Sequence, residues 1–115
     1  MASFTITEEM RGDVAIVTLS GDVTPGKIEG VLSTRMLHLA NNGYKKVVLN
    51  LHGLPSIDSI GLGEIVRSYT SLMRQGAKLK LAAVPKKIVD LLRVTRLIMA
   101  FELEATNDDA VAKFR

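Results

Sequence analysis

The residues best suited to chemistry in this sequence lie in one short segment, where Asp58 and Ser59 are followed by Gly61 and Gly63. An apolar run precedes the segment and apolar residues at helical spacing follow it, which indicates a strand, a turn and a helix start. The first N–H groups of a helix have no partner within the helix and carry about half a unit of positive charge. A serine hydroxyl at that position is therefore a candidate acceptor for a phosphate group.

The same residues also fit a purely structural interpretation. Asp and Ser are both preferred helix caps, because their side-chain oxygens accept hydrogen bonds from the free N–H groups. The two glycines would keep side-chain bulk low and let another molecule approach the backbone closely. From the residues alone, an ordinary helix cap and a binding site for a partner both remain open.

Motifs of the common enzyme classes do not occur in this segment. A nucleophile elbow requires Gly-x-Ser-x-Gly, and Ile57 stands where the first glycine would be. The segment also lacks the third glycine of a dinucleotide-binding fingerprint and the lysine of a phosphate-binding NTPase loop. The two histidines, His38 and His52, have no matching carboxylate cluster. We therefore predict a protein that is not an enzyme, with no catalytic residue, no metal site and no cofactor.

The spacing of apolar residues predicts the elements that position this segment. Strands are predicted over residues 4–10, 14–19, 45–51, 78–84 and 101–104. The first predicted helix carries apolar residues at helical spacing from Ile28 to Leu39 and is ended by Asn41-Asn42-Gly43. Further helices are predicted from about residue 61 to 75, from Pro85 onward, and near the end, capped by Asn107 or Asp108. The order β-β-α-β-α-β-α-β-α indicates an α/β fold. We expect an opening hairpin and a mixed, mostly parallel sheet of four or five strands with about four helices.

Length and composition limit the possible classes of protein. The chain of 115 residues fits a single domain, and 47% hydrophobic with 23% charged residues is typical of a globular protein. The absence of cysteine excludes disulfides and thiolate metal sites. No apolar run approaches the roughly 20 residues of a membrane-spanning helix. The first residues lack the pattern of a signal peptide, so the expected location is the cytoplasm.

The net charge is +3, and basic residues are concentrated between residues 67 and 96. A basic stripe of this kind could contact nucleic acid or an anionic lipid surface, although helix faces exposed to water explain it more simply. The two tyrosines and three phenylalanines are too scattered to form a platform on which bases stack. We therefore expect no direct binding of nucleic acid.

Residues 47 to 63, an apolar strand followed by Asp-Ser-Ile-Gly-Leu-Gly, resemble the signature of the STAS domain family. They are most similar to the bacterial anti-sigma factor antagonists of the SpoIIAA-like branch. The resemblance covers nearly the whole chain and implies one STAS domain over residues 1 to 115. Ser20-Gly21-Asp22 after the second strand and Gly76-Ala77 before the fourth strand also fit the family.

The resemblance implies that the protein binds an anti-sigma factor with serine kinase activity and thereby frees a sigma factor, which regulates transcription indirectly. Ser59 would be phosphorylated by that kinase, and a PP2C-type phosphatase would reset it. Ile60 stands where the family usually has a second hydroxyl, and Thr24 where many members carry an aspartate. The partner-binding residues implied by the resemblance are Asp22, Thr24, Asp58, Ser59, Ile60, Gly61, Leu62 and Gly63.

A second interpretation assigns the chain to a different class of function. The STAS fold also occurs in structural subunits of lipid- or anion-transport complexes, in which the serine need not be phosphorylated. Ile60 and the basic stripe are compatible with such a role. Because a shared fold does not fix a function, both interpretations are carried forward.

Overall fold

A computed structural model of the protein describes residues 4–21 and 28–114, and they contain a five-stranded mixed sheet. The strands are β1 (Phe4–Arg11), β2 (Val14–Gly21), β3 (Lys46–Gly53), β4 (Lys78–Ala82) and β5 (Glu102–Glu104), and they lie side by side in that order. The first two are antiparallel, and β2, β3, β4 and β5 are parallel. The predicted hairpin and mostly parallel sheet are confirmed.

The helices follow the predicted order. In the described ranges they are α1 (Val31–Asn41), α2 (Ser59–Arg74), α3 (Lys86–Val94) and α4 (Asn107–Lys113), with a short 3-10 helix over Leu97–Met99. None of these helices has the length and apolar character needed to cross a membrane.

Ile28, the first residue of the predicted helical pattern, is helical, and Gly30 adopts the left-handed conformation (φ 78°) immediately before α1, which begins at Val31. One predicted helix cap is wrong. The last helix was expected to be capped by Asn107 or Asp108. Thr106 caps it instead, since its hydroxyl oxygen accepts a hydrogen bond from the backbone N–H of Asp109 at 3.1 Å.

Alternate residues of each strand supply the two faces of the sheet. On one face, the strands pack against α1, α2 and α3 to form the main core, whose members include Ala15, Val17, Leu19, Val47, Leu49, Leu51, Leu79, Leu81, Leu32, Met36, Ile65, Leu72, Ile88 and Leu92. On the other face, α4 covers a smaller cluster that includes Ile16, Val48, Ala82, Ala110 and Val111. The β3 strand, which leads into the candidate site, is therefore buried on both faces and firmly held.

Lys45 joins the C-terminal ends of α1 and α2. Its Nζ donates hydrogen bonds to the carbonyl oxygens of Ala40 and Gln75, each at 3.0 Å. The last carbonyls of a helix lack partners within the helix and carry partial negative charge, so a cation is favourable there. We expect Lys45→Met, which keeps most of the aliphatic stem, to lower the free energy of unfolding by about 1 to 2 kcal/mol in urea titrations. The exposed Lys87→Met should change it by less than about 0.5 kcal/mol; equal effects would contradict this role for Lys45.

Candidate functional site

The candidate site is the connection between β3 and α2. Leu54 is buried immediately after the strand, and its N–H donates to the carbonyl of Leu51 at 3.1 Å. Ile57 is half-buried and packs against the main core. These two apolar side chains anchor a connection whose remaining residues, Pro55, Ser56 and Asp58, are exposed.

Asp58 is the cap of α2. It has an extended backbone (φ −95°, ψ −176°), and its carboxylate Oδ1 accepts a hydrogen bond from the N–H of Gly61 at 2.8 Å. Its carbonyl accepts the first bond of the helix, from the N–H of Leu62 at 2.9 Å. The sequence left Asp58 and Ser59 as equal candidates for the cap, and the structure assigns that role to Asp58.

Ser59 is the first residue of α2 and is exposed to solvent. Within residues 4–21 and 28–114, its hydroxyl makes no hydrogen bond, because the capping position belongs to Asp58. The hydroxyl is therefore free to contact, or to be modified by, another molecule. It also lies beside the N–H groups of Ser59 and Ile60, which come too early in the helix to have partners within it.

The other predicted contact residues of the motif divide into two pairs. Ile60 is 43% exposed and Gly63 is exposed, whereas Leu62 is 6% exposed and packs in the main core. Gly61 is also buried, and a Cβ placed on it would lie 2.5 Å from Cγ1 of Ile57. The surface that this segment offers to a partner therefore consists of Asp58, Ser59, Ile60 and Gly63.

Two other predicted contact residues, Asp22 and Thr24, lie outside the described residues. The strand that leads to them, β2, ends next to the end of β3, with Ser20 and Gly53 as Cα partners. A Cβ placed on Gly53 would lie 2.4 Å from the Cβ of Ser20, so only glycine fits this close approach.

Comparison with known proteins places this fold in a family. A model of the STAS domain matches residues 5–110. The chain belongs to the STAS domain family. This result agrees with the predicted resemblance and accounts for the order of strands and helices around the β3–α2 connection.

Solved structures similar to this STAS domain include several anti-sigma factor antagonists. A candidate antagonist from Thermotoga maritima superposes with a TM-score of 0.81 at 23% sequence identity, covering 94% of this chain and 92% of that one. An antagonist from Mycobacterium paratuberculosis gives 0.80 at 21% identity, with 96% and 93% covered. The antagonist SpoIIAA in its unphosphorylated form gives 0.80 at 16% identity, with 96% of each chain covered. Likeness at these identities establishes the shared fold.

Glu64 of this STAS domain, a residue that the motif does not single out, links α2 to the start of α1. Its side chain is buried on α2, at 2% residue exposure, and Oε1 accepts a hydrogen bond from the backbone N–H of Ser33 at 2.8 Å. The cap residue of α1, Gly30, has no side chain to cap that helix. Glu64 therefore caps α1 from another helix and holds the start of α1 beside the first turns of α2.

The electrostatic environment of Glu64 follows from these contacts. Burial raises the pKa of its carboxyl, but hydrogen bonds from the backbone N–H groups of Ser33 and Gly30 and from the Ser33 hydroxyl lower it. Arg67, whose Nη1 lies 3.4 Å from Oε2, lowers it further. Together these contacts outweigh burial, so the pKa lies below its usual value and the side chain is a carboxylate at neutral pH.

Replacement by alanine should change the free energy of unfolding in opposite directions at the two glycines of the motif. Outside the backbone of α2 itself, no atom of residues 4–21 or 28–114 lies within 4 Å of a Cβ placed on Gly63. Glycine inside a helix costs about 0.5 to 1 kcal/mol relative to alanine, so Gly63→Ala should raise the free energy of unfolding by that amount. Gly61→Ala should lower it by about 1 to 3 kcal/mol, because the new methyl group would collide with Ile57. Urea unfolding of both variants measures the difference, and changes of the same sign would contradict it.

Proposed function

We propose that this STAS domain is an anti-sigma factor antagonist whose binding to its partner is ended by phosphorylation of Ser59. The observation that carries the proposal is the exposed Ser59 hydroxyl, which stands at the start of α2 without a partner in the described chain. Because Asp58 already caps the helix, the fold does not need this hydroxyl. A kinase could therefore modify it without disturbing the cap.

The start of α2 can accommodate the phosphate. The N–H of Gly61 is used by Asp58, and those of Ser59 and Ile60 remain available to phosphate oxygens. The partial positive charge at the helix start favours an anion there. The phosphorylated protein should accordingly keep the same fold, and the similar fold of SpoIIAA in its phosphorylated form supports this expectation.

A partner would respond strongly to the new charge. Between residues 53 and 63, Asp58 is the only charged residue, and the exposed side chain next to Ser59 is the apolar Ile60. A surface that complements this segment should therefore be largely apolar at its centre. Phosphorylation adds about −1.5 to −2 charges, and removing such a charge from water without a matching cation opposes binding.

The proposed partners are an anti-sigma factor with serine kinase activity and a PP2C-type phosphatase that removes the phosphate. In this arrangement the chain acts by binding rather than by catalysis, in the cytoplasm, and it affects transcription only through the freed sigma factor. We propose further that residues 1 to 115 form one STAS domain. The packing of Ala110 and Val111 of α4 against the sheet supports this extent.

The experiment that tests the proposal uses a histidine-kinase-like ATPase encoded near this gene. The protein is incubated with that kinase and ATP, and the modified residue is located by mass spectrometry. We expect phosphate on Ser59 and none on Ser59→Ala. Ser56→Ala is the matched control, because Ser56 is an exposed serine in the same connection and its loss should leave the reaction intact. Phosphate elsewhere, or none, would overturn the proposal.

The exposed Ile60 favours a second candidate function, that of a structural subunit in a lipid- or anion-transport complex. An apolar side chain in place of a second hydroxyl suits a permanent contact with another subunit. In that case the protein would co-purify with a transporter ATPase. Ser59→Ala and wild type would then assemble equally, and the kinase would leave Ser59 unmodified.

A further inference from the structure

A concentration of lysines lies at the opposite edge of the sheet from Ser59, near the amino ends of the parallel strands. Lys46 of β3 and Lys78 of β4 are direct Cα partners, and Lys80 follows two residues later on β4. Alternation places all three side chains on the face that α4 partly covers. Like charges this close on neighbouring strands repel each other, so the arrangement needs anions nearby to balance it.

These lysines line an open cleft of about 380 Å³. Its walls are Lys45, Lys46, Gly76, Lys78, Lys80, Glu102, Lys113 and Phe114. The ammonium group of Lys45 is bound to the carbonyl oxygens of Ala40 and Gln75, so four lysines, Lys46, Lys78, Lys80 and Lys113, supply the charge of the cleft. Among the described residues of the walls, Glu102 is the one acidic residue. A cavity of this size lies at the lower end of the range of small-molecule sites, about 300 to 1,000 Å³.

Nearby carboxylates balance only part of this charge. Asp13 pairs with Lys46 at 2.8 Å, and Glu104 lies 3.5 Å from Nζ of Lys113 and 4.0 Å from Nζ of Lys80. With Glu102, three carboxylates stand against the four ammonium groups of Lys46, Lys78, Lys80 and Lys113. Across the described residues, Lys78 has no ion pair within 4 Å, and the cleft keeps an excess of positive charge.

Lys80 forms the floor of the cleft. Its side chain is 9% exposed, pairs with Glu102, and its ammonium lies 5.1 Å from the centre of the Phe114 ring. The hydrogen bond from Lys80 lowers the pKa of the Glu102 carboxyl, and the charge of Lys78 lowers it further. Because Lys80 covers one face of the ring, the cleft offers ammonium groups rather than an aromatic face for stacking.

We propose that this cleft binds a small molecule through its phosphate group, with Lys46, Lys78 and Lys113 as the direct contacts. Lysine binds phosphate as a point charge and needs no fixed planar geometry. Side chains on directly opposed residues stand roughly 5 Å apart, and those two residues apart on one strand roughly 7 Å apart. One or two linked phosphate groups can therefore reach several of these ammonium groups at once.

The test uses pyrophosphate as the probe, at constant ionic strength, with binding followed by amide NMR shifts and by thermal unfolding. We expect shifts confined to residues around the cleft and a ligand-dependent rise in melting temperature. Lys78→Gln should weaken pyrophosphate binding roughly tenfold, since it removes one charge-assisted contact. Without ligand, Lys78→Gln should be about as stable as wild type, because it relieves the repulsion from Lys46 and loses an attraction to Glu102, which Lys80 already pairs.

Lys87→Gln is the matched control, since it removes an exposed lysine on α3 and should leave pyrophosphate binding unchanged. Three results would overturn the proposal. Sulfate at the same ionic strength could produce the same shifts, which would indicate unspecific screening. Lys78→Gln could retain full affinity or lose stability without ligand, which would make Lys78 a structural residue. Finally, the cleft could bind a glutamate-rich peptide and fail to bind pyrophosphate, which would indicate an acidic protein as its ligand.

Discussion

Ser59→Asp is expected to weaken binding of the proposed anti-sigma factor about tenfold, and the proposed phosphorylation of Ser59 should weaken it about a hundredfold or more. The aspartate adds one negative charge and the phosphate about −1.5 to −2, at a position flanked by Asp58 and the exposed Ile60. Each tenfold loss requires about 1.4 kcal/mol, a modest fraction of what desolvation of an unpaired charge costs. Ser59→Ala, which adds no charge, should bind as tightly as wild type in isothermal titration calorimetry.

The stability of Ser59→Asp shows whether a loss of affinity comes from the added charge or from damage to the fold. Ser59 is exposed in the first turn of α2, where a negative side chain interacts favourably with the helix by about 0.3 to 1 kcal/mol. Ser59→Asp should therefore melt at the same temperature as wild type or higher while it loses affinity. Thr70→Asp, at an exposed position farther along α2, is the control for added charge and should keep its affinity. A Ser59→Asp protein that binds normally, or that loses both stability and affinity, would contradict the proposed switch.

The elements of this fold were predictable because each carries its periodicity in its own residues. The β2 strand reads as a continuous apolar run and is buried on both faces, as such a run predicts. The helix starts were harder to predict. Gly30 separates the helical residue Ile28 from α1 through its left-handed backbone, a conformation that neighbouring residues do not specify. At the last helix, three successive residues were suitable caps, and local geometry selected Thr106.

The candidate site was predictable as a motif but not as a surface. Ser59 and Asp58 could be singled out from their types and from their position after an apolar strand. Their different roles, an exposed hydroxyl and a cap, depend on backbone angles that the sequence does not contain. Likewise, Leu62 and Gly63 are neighbours in the motif, and only the packing of α2 on the sheet decides that Leu62 is buried and Gly63 exposed.

Glu64 could not be found from the sequence because its partner, the N–H of Ser33, lies 31 residues away. A glutamate in a helix is ordinarily exposed, so spacing alone predicts a surface residue here. The available signal is that Glu64 lies on the same side of α2 as Gly61 and Ser68, two small residues that are also buried. Small residues at helical spacing permit a close neighbouring helix, and α1 occupies that position.

Glu64→Ala is expected to lower the free energy of unfolding by about 2 to 4 kcal/mol at pH 7. The substitution leaves the buried N–H of Ser33 without an acceptor and removes the cap that Gly30 cannot supply. Glu64→Gln keeps an oxygen acceptor of the same shape but loses the charge, and should cost about 1 to 2 kcal/mol. Urea unfolding measures both values, with the exposed Glu29→Gln as a control that should change stability by less than about 0.5 kcal/mol.

The pH dependence of this difference tests the charge itself. The pKa of Glu64 is lowered in the folded protein from its ordinary value of 4.5, so the unfolded chain takes up a proton first as the pH falls. The carboxylate therefore gives its full stabilisation at pH values about one unit or more above 4.5. That stabilisation is lost as the pH falls through the lower pKa of the folded state. The stability advantage of wild type over Glu64→Gln should be constant between about pH 6 and 7 and shrink steadily below pH 4.5. An advantage that stays the same down to pH 3 would mean that hydrogen-bond geometry, rather than the charge of Glu64, holds α1 against α2.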